Sequence, residues 1–338
     1  MMAQIKYFIG TDISKDWLDM CIYGPQGVLH KQQIKNKPAA INSWIRQTCK
    51  SFGYTIDSSL FAMEYTGIYN HHLLHILVEL SAKIWVIPGA QITESKGLDR
   101  GKSDEQDAQR IAIYASKNLE QVRLWNQPRE VILQLRTLLM LRDKYKSTQH
   151  QYETTLNESK TFNTSTTHTL IASHCKVAIE LAQKEIIKLE KEMKSLISSD
   201  ERLAELDGYI QSVDQVGLIT SVSMIVTTNE FINITEAKKY ACYSGVVPFM
   251  NASGKLKKRE RISHKANKNI KKLFHLLAVG SIRFKGDLKD YYDRKVAEGK
   301  PKMSVLNAIR NKIILRIFAC VNARKYYQKN YQYDLAVS

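Results

Sequence analysis

The first 120 residues alternate strand-like and helix-like segments in the order β-β-β-α-β-α-β-α. Three strand-like runs come first, Ile5 to Ile13, Trp17 to Tyr23 and Val28 to Ile34, with Pro25-Gln26-Gly27 as the turn between the last two. A helix begins near Pro38 and a fourth strand closes at Glu64. A helix from Tyr69 to about Ser81 leads to the short strand Ile84-Trp85-Val86-Ile87, which Pro88 and Gly89 end. The amphipathic stretch from Ser103 to about Lys117, with Ser103 as a possible N-cap, completes the region.

Four acidic residues occupy telling places in that order. Asp12 lies at the end of the apolar run Tyr7-Phe8-Ile9-Gly10-Thr11-Asp12-Ile13, and Glu64 closes Leu60-Phe61-Ala62-Met63-Glu64. Asp104 and Asp107 are spaced by three near a helix start, which sets both on one helical face. Any one of them alone reads as a solvated surface charge. Together they predict a cluster: two like charges 4 Å apart repel by about 4 kcal/mol at an effective dielectric near 20, so divalent cations are needed to neutralise it. An oxygen-only donor set favours Mg2+ or Mn2+, and two such ions suit in-line phosphoryl transfer. His71 and His75 share a helical spacing of four, yet without a third ligand in view they do not make a zinc site.

The chain has 338 residues, 44% of them hydrophobic, which is ample for a sizeable core and for two or three domains. Its 50 Lys and Arg against 33 Asp and Glu leave a formal net charge of +17, an electrostatic match to phosphate backbones. The five cysteines, Cys21, Cys49, Cys175, Cys242 and Cys320, form no C-x-x-C pair, which fits reduced, buried thiols rather than a disulfide framework. Neither an apolar leader nor a run of eighteen or so apolar residues is evident, so the expected setting is cytoplasmic, without a membrane partner.

From Pro128 the texture is helical and polar through Tyr145 and Tyr152. The Thr/Ser-rich stretch from Thr161 to Thr169 reads as a loop. Beyond it Ile179, Ala182, Ile186, Leu189, Met193 and Leu196 form a short heptad seam, suited either to an intramolecular helical hairpin or to an intermolecular coiled coil. The third region opens near Leu206. Residues 255 to 285 hold eleven Lys and Arg against one acid, Glu260, directly after Ser253-Gly254. That is the strongest basic patch of the chain, and by itself it reads equally as a solvated surface or a nucleic-acid-binding face.

The acids fall where the ribonuclease-H-like plan keeps its metal ligands, on the first strand, the fourth strand and the last helix. The set Gly10-Thr11-Asp12-Ile13-Ser14-Lys15, Glu64-Tyr65-Thr66-Gly67, Lys102-Ser103-Asp104-x-x-Asp107-Ala108 and Ser253-Gly254 with its basic sequel resembles the IS-one-ten (IS110) family of insertion-sequence transposases, which includes the Piv-type DNA invertases. The closing helix Val305 to Lys312 extends the resemblance over nearly the whole chain.

The resemblance implies an α/β ribonuclease-H-like (RuvC-like) domain over 1–125, a helical coiled-coil spacer over 126–205, a mostly α-helical transposase domain over 206–330 and a tail over 331–338. It implies a metal-binding tetrad of Asp12, Glu64, Asp104 and Asp107, and Ser253 as nucleophile. Lys255, Lys257, Lys258, Arg259, Arg261 and Lys265 become candidates for phosphate contacts, since no groove-reading motif is present. Expected partners are donor and target DNA, a noncoding guide RNA and further copies of the chain in a dimer or tetramer, the acids of one subunit serving the serine of another.

Two stretches depart from the family pattern. Asp214-Gln215-Val216-Gly217 replaces a common Pro-Gly-Val-Gly turn, and Ser263-His264-Lys265-Ala266-Asn267 replaces Ser-Lys-x-Gly-Asn. Both alter local backbone contacts and spare the five candidate catalytic side chains. The rival readings are a Piv-like invertase, a RuvC-like structure-specific nuclease using water as nucleophile, and a nucleic-acid-binding protein without chemistry.

Overall fold

The computed structural model describes residues 5–94, 104–247, 249–253, 256–261 and 266–329. They form two compact units, Met1–Gln127 and Pro128–Ser338.

In the first unit, strands β1 (Tyr7–Ile13), β2 (Trp17–Gly24) and β3 (Gly27–Lys35) form an antiparallel meander. Helix α1 (Pro38–Phe52) carries the chain to β4 (Ser59–Glu64), and α2 (His71–Glu79) carries it to β5 (Lys83–Ile87). Both crossovers produce parallel pairs, as helical connections require. The strand order β3-β2-β1-β4-β5 is the ribonuclease-H-like plan expected from the sequence. β1 is the middle strand and is nearly buried throughout, which explains why its sequence is a continuous apolar run instead of an alternating one.

Side chains alternate faces along a strand, so each strand divides its residues between two cores. On one face Ile9, Leu18, Met20, Phe61 and Met63 pack with Ile41 and Trp44 of α1 and Leu73 and Leu77 of α2. α1 starts with Pro38, whose fixed φ suits a first helical position, and ends at Gly53 in the left-handed region (φ 65°), whose N–H returns to the Cys49 carbonyl at 3.0 Å. On the other face Phe8, Leu60, Ala62 and Trp85 pack with Ile111 and Ala115 of α4 (Asp104–Lys117). A short helix α3 (Gly89–Glu94) precedes α4.

The second unit is mostly helical. α5 (Glu130–Phe162) and α6 (Ser165–Ser198) are two helices of 33 and 34 residues, each about 50 Å long at 1.5 Å per residue. They pack side by side as a helical hairpin, with Arg142 Nε on α5 donating to Glu190 Oε1 on α6 at 2.7 Å. The heptad positions Ala182, Ile186, Leu189 and Met193 are buried in this chain. The expected loop from Thr161 to Thr169 is corrected to a two-residue break, Asn163 and Thr164. Thr164 N-caps α6 by accepting from the Thr167 N–H at 3.3 Å, so part of the Thr/Ser richness serves as helix-cap chemistry.

Beyond the hairpin come α7 (Glu201–Gln211), α8 (Leu218–Thr228) and α9 (Ala237–Tyr243), then the strands β6 (Phe249–Ser253) and β7 (Leu256–Arg261), which pair antiparallel. Helices α10 (Lys268–Ser281), α11 (Asp287–Ala297) and α12 (Lys302–Ala323) follow. α12 is the core helix: Ile309, Ile313, Ile314, Ile317 and Phe318 are all buried, and Phe318 meets Tyr240 and Phe231 at ring-centroid distances of 5.5 and 5.0 Å.

An ion cluster ties the start of α5 to two other joints of this unit. Arg129 donates to Asp200 Oδ2 at 2.6 Å and to Glu230 Oε2 at 3.0 Å, and Arg202 also reaches Glu230 at 3.2 Å. The Glu230 side chain is 1% exposed and lies in a run, Asn229-Glu230-Phe231, with φ between 50° and 61°. Three consecutive non-glycine residues in the left-handed region cost energy, and the two arginines on Glu230 are part of what holds them there. Among the described residues no helix is long and apolar enough to cross a membrane.

Candidate active site on the carboxylate face of the sheet

Alternation along β1 sends Phe8, Gly10 and Asp12 toward α4, and alternation along β4 sends Leu60, Ala62 and Glu64 the same way. β1 and β4 are registered Thr11 to Met63, so Asp12 and Glu64 are the next pair along two neighbouring parallel strands. On the opposite flank of β1, Asp12 is directly paired with Asp19 of β2, and Asp19 with Gln33 of β3. Glu64 in turn is registered with Ile87 of β5. One row thus crosses all five strands in the order Gln33, Asp19, Asp12, Glu64, Ile87, with three carboxylates at its centre.

Asp19 is 8% exposed, and the Gln33 side-chain amide donates to both of its oxygens, at 3.1 and 3.2 Å. The sequence reading missed both residues. Opposite residues on paired strands hold their Cβ atoms about 4.5–5.5 Å apart, so the Asp12 and Asp19 carboxylates are close enough to feel one another strongly.

α4 brings Asp107 to the same face. Its contact with β1 is made at Gly10, where a Cβ would collide with the Ala108 carbonyl and with the backbone and Cβ of Ala112. Asp107 immediately precedes Ala108. Its side chain is 23% exposed and accepts from Arg110 Nη1 at 2.9 Å, one turn along the helix. Asp104 opens α4, and its side chain lies outside the described residues, as does the proposed N-cap Ser103.

Glu64 is held from two sides. Its carbonyl accepts from the fully buried Asn70 Nδ2 at 2.9 Å, while Asn70 Oδ1 accepts from the Thr66 N–H at 2.7 Å and the Thr66 hydroxyl at 2.8 Å. This clip folds the chain back over Gly67, which takes φ 76°. The carboxylate of Glu64 lies against Gly89, where a Cβ would overlap it. Gly89, which the sequence reading took only as a strand end, is therefore what leaves room for the acid.

The donor set on this face is all oxygen, which fits a hard divalent cation. Among the described residues no three His, Cys, Asp or Glu side chains close into a metal-binding group. His75 pairs instead with Glu79 at 3.4 Å, and His71 stacks at 6.0 Å from it.

Ser253 is the last residue of β6, registered with Leu256 at the head of β7. Lys257, Lys258, Arg259 and Arg261 lie along β7, while Lys255 and Lys265 fall outside the described residues. The side chains of this hairpin are likewise outside the described set.

Asn307 of α12 donates to the Val246 carbonyl in the segment that leads to β6, and its Oδ1 accepts from Arg310 Nη1 at 3.4 Å. Arg310 Nη2 donates to His275 Nδ1 at 2.6 Å. Burial, and secondarily the Arg310 charge, holds the His275 imidazole below its ordinary pKa.

Comparison with known proteins places these elements. Residues 9–159 match a family model described as a transposase with the DEDD signature of IS110, and residues 207–293 match one described as the IS116/IS110/IS902 family of transposases. An insertion element IS110 protein of 43.6 kDa from Streptomyces coelicolor is 24% identical over 140 residues, which is 41% of this chain. The aligned stretch spans 34% of that relative's length. T. thermophilus RuvC, solved with a Holliday junction substrate, is 13% identical with a TM-score of 0.26, covering 34% of this chain and 97% of its own. The two family models together span more than half of the sequence, and the chain belongs to the IS110 family of insertion-sequence transposases.

Proposed function

We propose that the chain is a DNA transposase that cuts and rejoins strands through attack by Ser253, assisted by divalent metal at the acidic face and guided by a noncoding RNA. The observation that carries the reading is the placement of Asp12 and Glu64 side by side on the face that α4 covers with Asp107. Asp12, Glu64, Asp107 and Asp104 are the residues to hold Mg2+ or Mn2+. Such ions, when bound, supply Lewis-acid stabilisation of charge developing on phosphate oxygens.

The rest of the chemistry belongs to the chain. A serine hydroxyl is a weak nucleophile at neutral pH and must give up its proton as it attacks. The Ser253 Oγ–P bond forms as the P–O bond to the departing DNA hydroxyl breaks, and that hydroxyl takes up a proton. The phosphoserine conserves the energy of the phosphodiester, so a DNA hydroxyl reseals it by the reverse step without a high-energy cofactor. Pairing of the acids with the serine rests on family membership, as do a homo-oligomeric assembly and the RNA guide. The net charge of +17 suits a protein holding both donor and target DNA and an RNA.

The test is strand cleavage by the purified chain with its flanking noncoding RNA and junction DNA. Mg2+ or Mn2+ should support cleavage, and Asp12→Asn, Glu64→Gln and Asp104→Asn should each abolish it while far-UV circular dichroism stays unchanged. Full cleavage in excess chelator would sink the proposal. Hydrolytic nicking without a covalent adduct would turn it into the water-using nuclease.

A further inference from the structure

Arg310 is a buried cation that finds no counter-ion among the described residues. It is 5% exposed, and among the described residues its partners are neutral side chains. Its hydrogen bonds go to His275 Nδ1 at 2.6 Å and Asn307 Oδ1 at 3.4 Å, and its Nε has no partner. A guanidinium cannot accept a hydrogen bond. His275 Nδ1 must therefore be the acceptor, which fixes the imidazole as neutral with its proton on Nε2. The result is a half-buried ring presenting an N–H, backed by a buried positive charge whose own unpartnered Nε is sealed from solvent.

A half-exposed donor with an uncompensated charge behind it is the complement of an anion, and burial of an unpaired guanidinium is costly unless an anion repays it. Asn307 links the pair to the Val246 carbonyl, in the segment that feeds β6. Ser253 lies four residues beyond the start of that strand, about 13 Å at 3.3 Å per residue. The pair is thus tied to the chain segment that runs into the strand carrying the serine.

Resting on the transposase reading above, we propose that Arg310 and His275 form a phosphodiester-binding site beside the segment that leads into β6, with His275 Nε2 as the donor and the Arg310 charge behind it. Arg310 acts through its charge and by setting the tautomer of His275.

The test is binding of the full chain to a short DNA duplex and to a single-stranded RNA, each measured across a salt series. Arg310→Met should lower the slope of log affinity against log salt by about 0.9 if the phosphate belongs to duplex DNA, or about 0.7 if it belongs to single-stranded RNA. The nucleic acid that shows the loss identifies the source. An unchanged slope on both, in a variant with wild-type circular dichroism, would overturn the site.

His275 provides the test should Arg310→Met fail to fold. His275→Phe should weaken binding about tenfold, the worth of one hydrogen bond to a charged group. His275→Gln, which keeps an N–H donor, should stay within about threefold of wild type. Equal weakening by both, or by neither, would contradict the donor role. Metal-dependent cleavage by the wild type is scored in parallel: its absence would remove the transposase reading while a lost salt-slope unit still marked a phosphate contact.

Discussion

Asp12 and Asp19 face each other directly across the β1–β2 pair, on the side of the sheet that α4 covers. Two carboxylates about 5 Å apart repel by roughly 3 kcal/mol at an effective dielectric of 20. The Gln33 amide fixes Asp19 in place.

A divalent cation held by the acidic face should stabilise the fold. Mg2+ or Mn2+ at a hundred times its dissociation constant should add about 2.7 kcal/mol to unfolding stability, read as a raised Tm. Asp12→Asn should lose most of that increment. Equal stabilisation of the variant would place the cation elsewhere.

Gly10 sets how closely α4 approaches the sheet, and α4 carries Asp104 and Asp107. Gly10→Ala forces a methyl group into helix backbone that has no room to yield. The expected cost is about 1–3 kcal/mol in urea unfolding, together with loss of cleavage. Wild-type stability would show that the close packing at Gly10 is not a constraint.

Gly89→Ala presses on Glu64 instead, at the end of a side chain that can swing aside. Stability should then change by less than about 1 kcal/mol while cleavage falls at least tenfold, a loss of about 1.4 kcal/mol in transition-state stabilisation. Unimpaired cleavage would mean that Glu64 works equally well displaced.

Much of the first unit was legible in the sequence because β1 and β4 are central, buried strands, and buried parallel strands read as unbroken apolar runs. Asp12 and Glu64 stood out as acids at the ends of such runs. Asp19 did not, because its place beside Asp12 depends on cross-strand register, which no local pattern reveals. Gly89 read as a strand terminator because its packing partner lies 25 residues earlier, at Glu64. The β6–β7 hairpin was missed for a different reason: Leu256-Lys257-Lys258-Arg259-Glu260-Arg261 has no apolar alternation to mark a strand. Arg129 and Glu230 are 101 residues apart, so their pairing had no local sign either.

The Arg129 cluster gives the second unit a pH dependence. Hydrogen bonding from Arg129 holds the Asp200 carboxyl below its ordinary pKa. The stability this contributes is complete above the unfolded carboxylate pKa and is lost as pH falls through the lower folded value. Arg129→Met should cost about 1–3 kcal/mol, less than a fully buried pair because Arg129 is 44% exposed and Arg202 still reaches Glu230. It should also flatten the acid limb of the stability profile. An unchanged acid limb would show that Asp200 gains nothing from Arg129.

The most direct test of the whole account is to trap the reaction halfway. With a suicide DNA substrate and Mg2+, the wild-type chain should yield a denaturation-resistant adduct that mass spectrometry assigns to Ser253. Asp12→Asn should form none, and Ser253→Ala should lose both adduct and strand exchange while still binding metal and nucleic acid. Strand exchange at the wild-type level by Ser253→Ala, or a full adduct yield from Asp12→Asn, would contradict it.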